Sequence, residues 1–102
     1  MPTYNKLVRD KIPEIIKQNG SQPVFRKLDD EEYYRELRNK LNEEVGEFLS
    51  DNNAEELADI MEVVLALAAH LGHSAANLEK IRADKAKKRG GFDKRYYLIA
   101  TE

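Results

Sequence analysis

The segment from Ile60 to Leu71 constrains the fold most, because it is the longest apolar run in the chain. Only Glu62 and His70 interrupt it, and it is shorter than the roughly 20 residues that a bilayer-spanning helix requires. A helix that is apolar nearly all round must be covered by other parts of the protein. We therefore expect this segment to form the most buried helix of a helical domain.

Helix start and stop signals divide the chain into four helices. Acidic or hydroxyl residues precede each apolar stripe, and Asn or Gly residues follow it. Residues 22–28 and 92–99 lack a helical period, so we predict an extended connector in the first case and a strand or an extended arm in the second. The expected helices run from the cap Asp10 to the stop Asn19-Gly20, from Asp29 or Asp30 to about Leu49, from Asn53 to Leu71, and from the cap Ser74 to the stop Gly90-Gly91.

These elements predict an all-α fold, a four-helix-type bundle with short extended N- and C-terminal segments. At 102 residues the chain has the size of a single domain, which we place at 1-102. A domain this small buries a modest share of its apolar surface, so a homodimer or homotetramer is expected.

Composition excludes several classes of function. The 17 Lys+Arg and 19 Asp+Glu residues nearly cancel, so no nucleic-acid partner is expected. The chain contains no cysteine, which excludes disulfides, thiolate catalysis and zinc-cysteine sites. Its first ten residues lack the apolar core of a signal peptide, and no segment is long enough to span a membrane, so we expect a cytoplasmic protein.

Carboxylates interrupt the apolar stripes of the second and third helices. Glu44 lies about 60° from the centre of its stripe, with Glu47 at the border, while Glu56 and Asp59 occur one turn apart in the most apolar segment. Residues three apart share a helical face, and the short loop between the two helices makes them antiparallel neighbours. A cation would relieve the repulsion between the two pairs, and oxygen ligands alone favour Mg²⁺, with Mn²⁺ as a substitute. The alternative is a solvated acidic face paired with lysines.

The order of these residues resembles a known family. Glu43-Glu44-Val-Gly-Glu47 followed by Glu56-Leu-Ala-Asp59 is similar to the E-E-x-x-E and E-x-x-D signature of MazG-like, all-α nucleoside triphosphate pyrophosphohydrolases. The opening from Tyr4 to Pro13 and the later Lys88-Arg-Gly-Gly-Phe92 resemble the small single-domain members of that group.

The resemblance implies a Mg²⁺-dependent hydrolase that cleaves a nucleoside triphosphate between its α- and β-phosphates, which yields a nucleoside monophosphate and pyrophosphate. Within the same superfamily, phosphoribosyl-ATP is an alternative substrate. A competing hypothesis of another class is a non-catalytic, oligomeric helical module, which would show no tight metal dependence. By the resemblance, the Mg²⁺ ligands are Glu44, Glu47, Glu56 and Asp59, with Glu43 and Glu62 as less certain additions.

Side chains for proton transfer and phosphate binding are proposed from their positions. Glu43 or Glu47 is expected to act as the catalytic base that accepts the proton of the attacking water. Lys40 and the basic end of the fourth helix are suitably placed to bind phosphate, although ion pairing and the helix dipole explain the same residues equally well. The predicted substrate-binding residues are Lys40, Lys85, Lys88 and Arg89, and the resemblance alone adds Lys6 and Arg9.

Overall fold

The computed structural model describes residues 2–102, which form four α-helices. None of these residues belongs to a β-strand, and residues 22–28 and 92–99 lie outside the helices. The prediction of an all-α, four-helix fold is therefore confirmed. The helices are α1 Ile12–Gln18, α2 Asp30–Asp51, α3 Ala54–His70 and α4 Ala75–Arg89.

The three long helices begin at side chains that cap them. Asp29 accepts a hydrogen bond from the backbone N–H of Glu32 at 2.8 Å, and the Glu32 carboxylate accepts one from the N–H of Asp29 at 3.3 Å. This reciprocal pair is a capping box. Asn53 and Ser74 cap α3 and α4 in the same way, each through a side-chain oxygen.

Two helix boundaries differ from the prediction. The residue at the N-cap of α1 is Lys11, not Asp10, and it makes no side-chain cap, because Pro13 occupies the first turn, where no backbone donor is needed. The second helix continues past Leu49 to Asp51. It ends at Asn52, whose left-handed backbone (φ 55°) turns the chain directly into α3.

The antiparallel hairpin of α2 and α3 is the core of the molecule. Its buried apolar side chains are Leu37 of α2 with Val63 and Ala68 of α3. The fourth helix instead departs from α3 with a bend of 106°. The chain is consequently elongated, with a radius of gyration of 17.9 Å where a compact domain of this length has about 13 Å.

Only one face of α3 is buried, although its sequence predicts burial all round. Within residues 2–102, α2 covers one side of α3, and large apolar side chains on the other side are exposed. Helical spacing and the antiparallel arrangement put exposed apolar residues of both helices on the same side of the hairpin. We call this surface the open face, and it consists of Val45, Leu49, Leu57, Met61 and Leu65.

Within residues 2–102, no single helix combines the length and hydrophobicity of a membrane span. The consecutive helices α3 and α4 reach that composition only when they are taken together, across the 106° bend.

Candidate metal centre

Three carboxylates from α2 and α3 converge near the connection between these helices. Glu44, Glu56 and Asp59 each contribute an oxygen, and these oxygens all lie within 4.8 Å of one another. Glu44 lies two turns before the end of α2, and the short connection through Asn52 and Asn53 returns the chain so that the first turns of α3 face it. We call these three residues the carboxylate cluster.

The cluster is only partly satisfied by hydrogen bonds. Glu44 is 7% exposed, and its Oε2 atom has no hydrogen-bond partner among the described residues. The Oε2 atom of Glu56 is likewise buried without a partner in that part of the chain. Burying a carboxylate oxygen without a partner costs free energy, so these two atoms are a local source of instability in the protein without a cation.

The pKa values of the cluster reflect this environment. Burial raises the pKa of Glu44 above its usual value, the charges of Glu47 and Asp59 raise it further, and a hydrogen bond from Lys40 opposes them. The pKa of Glu56 is also raised, first by burial and then by interaction with Glu47 and with Asp59. A divalent cation among these oxygens would favour the charged forms and offset both effects.

Basic side chains surround the cluster. Arg9 donates a hydrogen bond from Nη2 to Oδ1 of Asp59 at 2.6 Å, which ties the N-terminal segment to α3. Lys6 donates to Oε1 of Glu43 at 3.0 Å. The Lys40 ammonium lies 3.5 Å from Glu43 and 3.4 Å from Glu44, so it bridges two consecutive carboxylates of α2.

A small cavity lies between the N-terminal segment and α2, beside the cluster. Its volume is about 120 Å³, and both ammonium groups, Lys6 and Lys40, contribute to its lining. The remaining lining residues are Asn5, Leu7, Glu36, Asn39 and Glu43.

The two candidate bases have different surroundings. Burial raises the pKa of Glu43, but the hydrogen bond from Lys6 and the charge of Lys40 outweigh burial and leave this pKa lowered. Glu47 is exposed one turn further along α2 and interacts with Glu56, whose pKa it raises. It flanks the carboxylate cluster and is not one of its three members. Glu62 is exposed and also lies outside the cluster.

The basic end of α4 does not approach the carboxylate cluster of its own chain. The cluster lies at the start of α3, whereas α4 begins beyond the other end of α3 and turns away by 106°. With a rise of about 1.5 Å per residue, its last turn is roughly 20 Å or more from Glu56. The predicted phosphate-binding roles of Lys85, Lys88 and Arg89 therefore remain predictions, and in this site they would require a second copy of the chain.

A group of stacked side chains at the opposite end of the hairpin was not predicted. The His70 ring stacks on Tyr34 with centroids 4.8 Å apart and an interplanar angle of 10°, and it meets the edge of Tyr33 at 6.0 Å. The Arg38 guanidinium lies 5.7 Å from the Tyr34 ring centroid. The sequence signal that could have predicted this contact is the antiparallel pairing of the two helices, which places the start of α2 opposite the end of α3.

The carboxylate cluster has the properties of a site for a hard divalent cation. All of its donors are carboxylate oxygens, the ligand type that Mg²⁺ and Mn²⁺ prefer. Mg²⁺ usually takes few protein carboxylates and retains several waters, so three converging oxygens are sufficient. The buried, partnerless oxygens of Glu44 and Glu56 distinguish this cluster from an ordinary solvated acidic surface.

Comparison with known proteins adds one partial match. A stretch of 42 residues is 55% identical to an uncharacterized protein of Mycolicibacterium smegmatis (strain ATCC 700084 / mc(2)155), and the match covers 41% of this chain. It spans 43% of that relative, less than half of its length. No family model matches the chain. No solved structure matches it either.

Proposed function

We propose that this protein is a Mg²⁺-dependent nucleoside triphosphate pyrophosphohydrolase of the MazG-like, all-α class. One observation carries the proposal: Glu44, Glu56 and Asp59 direct carboxylate oxygens from two helices to within 4.8 Å of one another. Two carboxylate oxygens of this cluster are buried without a partner. The motif resemblance supplies the reaction, which is hydrolysis between the α- and β-phosphates.

The three carboxylates of the cluster would hold the cation. When bound, Mg²⁺ supplies positive charge that neutralises phosphate oxygens and polarises the scissile phosphoanhydride. Glu44 is fixed by its burial and by Lys40, so this side chain is held in place before any ligand arrives. Such preorganisation lowers the cost of binding.

The basic side chains beside the cluster are suited to the phosphates. Arg9 forms an exposed ion pair with Asp59, which is weak in water and can be exchanged for a phosphate oxygen. Lys6 and Lys40 line the neighbouring cavity. Each of these three cations pairs with a carboxylate of the cluster or with its neighbour Glu43, so each is available to a phosphate bound there.

Glu47 is the better of the two candidate bases. Two ammonium groups hold Glu43 in its ionised form and lower its pKa, which weakens it as a proton acceptor. Glu47 is exposed beside the cluster, where a water molecule can reach it. We therefore assign to Glu47 the acceptance of the proton from the attacking water.

The proposal is tested by measuring release of pyrophosphate from a panel of ribo- and deoxyribonucleoside triphosphates, with phosphoribosyl-ATP as an additional substrate. We expect pyrophosphate and monophosphate in equal amounts with Mg²⁺ and none with excess chelator. Glu56→Gln should abolish turnover, whereas the matched change Glu62→Gln, on an exposed side chain of the same helix, should retain it.

If folded protein releases no pyrophosphate from any substrate of the panel, the enzyme assignment is refuted and the non-catalytic module is favoured. Equal activity of the Glu56→Gln and Glu62→Gln proteins would refute the site. Either result is interpretable only with the helical circular-dichroism spectrum of each variant as a control for folding.

A further inference from the structure

Two large apolar surfaces of this chain have no partner within the described residues. One is the open face of the hairpin. The other is the C-terminal arm, residues 92–102, which follows α4 and contains no helix. Five large apolar side chains of the arm are each 80–98% exposed: Phe92, Tyr96, Tyr97, Leu98 and Ile99.

The arm has the pattern of a segment that is buried on two sides. Four consecutive apolar residues, 96–99, alternate between the two sides of an extended chain, so both sides of this stretch are apolar. A flat surface would cover only one of them. A groove between two elements would cover both.

A bend between two helices can supply such a groove, and α3 and α4 meet at a bend of 106°. Ala68 continues the line of Leu57, Met61 and Leu65 by one helical turn, and it is buried near the end of α3. Its burial fits a fourth helix that leaves α3 on the side of the open face, so that the bend forms an angle between that face and α4.

Charge favours binding between the C-terminal third of the chain and the hairpin. Residues 30–70 contain 12 Asp+Glu and three Lys+Arg, a net charge of −9. Residues 71–102 contain eight Lys+Arg and four Asp+Glu, a net charge of +4. Opposite charges of this size steer the two surfaces toward each other.

The area is sufficient for a stable dimer. A buried Phe or Tyr removes roughly 150–250 Å² from solvent, so the three aromatic residues of one arm account for several hundred Å². Reciprocal exchange of two arms doubles that area, and the receiving faces add a comparable amount. The sum exceeds the roughly 1,200 Å² at which specific, stable interfaces begin.

We propose that the C-terminal arm of one copy binds in the angle between the open face and α4 of a second copy, and that the exchange is reciprocal. The proposed contact surfaces contain no residue of the carboxylate cluster, so the proposal can fail or hold whatever becomes of the enzymatic assignment. It also explains the elongated shape of the single chain, whose arm and hairpin face are each half of an interface.

The full-length chain offers a direct test because it contains no cysteine. Two differently tagged proteins, Tyr97→Cys and Met61→Cys, are mixed and incubated in a glutathione redox buffer. We expect a disulfide between the two tags, formed at least tenfold faster than in the control mixture of Val24→Cys with Met61→Cys. Val24 is as exposed as the arm, at 88%, but belongs to neither surface.

The oligomeric state provides a second readout. Light scattering during size exclusion should show a dimer or a larger even-numbered assembly, and Tyr97→Asp should raise the dissociation constant at least tenfold. Val24→Asp should leave it unchanged. A monomer at every concentration would overturn the proposal. So would an assembly insensitive to Tyr97→Asp, or a disulfide between Tyr97→Cys and Met61→Cys that forms no faster than the one in the Val24→Cys control mixture.

Discussion

The two ends of the α2–α3 hairpin differ in whether their side chains have favourable partners. At the connection between the helices, Glu44 and Glu56 have buried oxygens without partners, and their pKa values are raised. At the other end, the Tyr34 ring stacks on His70 and lies 5.7 Å from the Arg38 guanidinium, so each ring and cation has a favourable neighbour. The comparison shows that one end stabilises the hairpin, while the other holds carboxylates whose burial costs free energy. Instability confined to one end of a regular element is typical of a functional site.

Among changes that should affect the two ends differently, we expect the largest effect on activity from Glu44→Gln. This change removes a buried charge and a proposed ligand, so activity with Mg²⁺ should fall about 100-fold or more. The same variant should melt at a higher temperature than the natural protein when both are free of metal, because the neutral amide is cheaper to bury. Thermal unfolding with chelator and with Mg²⁺ would measure both parts of the prediction.

The control for this experiment is Glu31→Gln. Glu31 is exposed in the first turn of the same helix and belongs neither to the carboxylate cluster nor to the cavity beside it. Its replacement should change neither turnover nor the stabilisation by Mg²⁺. An active Glu44→Gln protein that Mg²⁺ still stabilises would show that the destabilised end is not the metal site.

At the stacked end, Tyr34→Leu should act on stability alone. Loss of the ring removes the stack on His70 and the contact with Arg38, which together contribute about 1–2 kcal/mol. Urea unfolding should detect this loss, while the affinity for Mg²⁺ should stay within about twofold. Phe25→Leu, in the exposed connector, is the matched control and should be neutral. A large change in Mg²⁺ affinity in Tyr34→Leu would show that the two ends are coupled.

The smallest expected effect lies at the start of α2 and depends on pH. Arg26 donates two hydrogen bonds to the Glu32 carboxylate, which also accepts from the backbone of Asp29, and these bonds lower the pKa of Glu32 to about 2. Because the pKa in the folded state is below the usual 4.5, ionised Glu32 stabilises the protein above pH 4.5. That contribution should decline as the pH falls from 4.5 and disappear near pH 2.

Melting temperatures of the natural protein and Glu32→Gln, compared at pH 7, 4, 3 and 2, would follow this contribution. The difference between them should be small, since the pair is exposed, and should shrink steadily toward pH 2. A difference that is constant over this range would mean that the charge of Glu32 contributes nothing.

Local chemistry made the helices predictable from the sequence. The caps Ser74 and Asn53 and the stop at Gly90 act within a few residues, so their effect could be inferred without knowing the tertiary structure. The convergence of Glu44 with Glu56 and Asp59 was also predictable, because a two-residue connection leaves an antiparallel hairpin as the only close arrangement.

Features that depend on distant parts of the chain were less accessible. The pairing of Arg9 with Asp59 joins residues 50 positions apart, and nothing local in either segment predicts it. The direction of α4, which bends by 106° from α3, could not be predicted from the composition of the helix either. The exposure of one face of α3 also depends on distant contacts. The apolar sequence predicts that this face is covered, but it does not identify the element that covers it.

The short connection at Asn52 and Asn53 also limits how this protein can change over generations. Only two residues separate α2 from α3, so the length of this connection fixes the register of Glu44 against Glu56 and Asp59. An inserted residue would release that register and separate the three carboxylates, whereas the connector between α1 and α2 has room for insertions. Among descendants of this sequence, we expect length variation to be absent at the α2–α3 connection. It should be common in the connector between α1 and α2, even where the residues themselves have diverged.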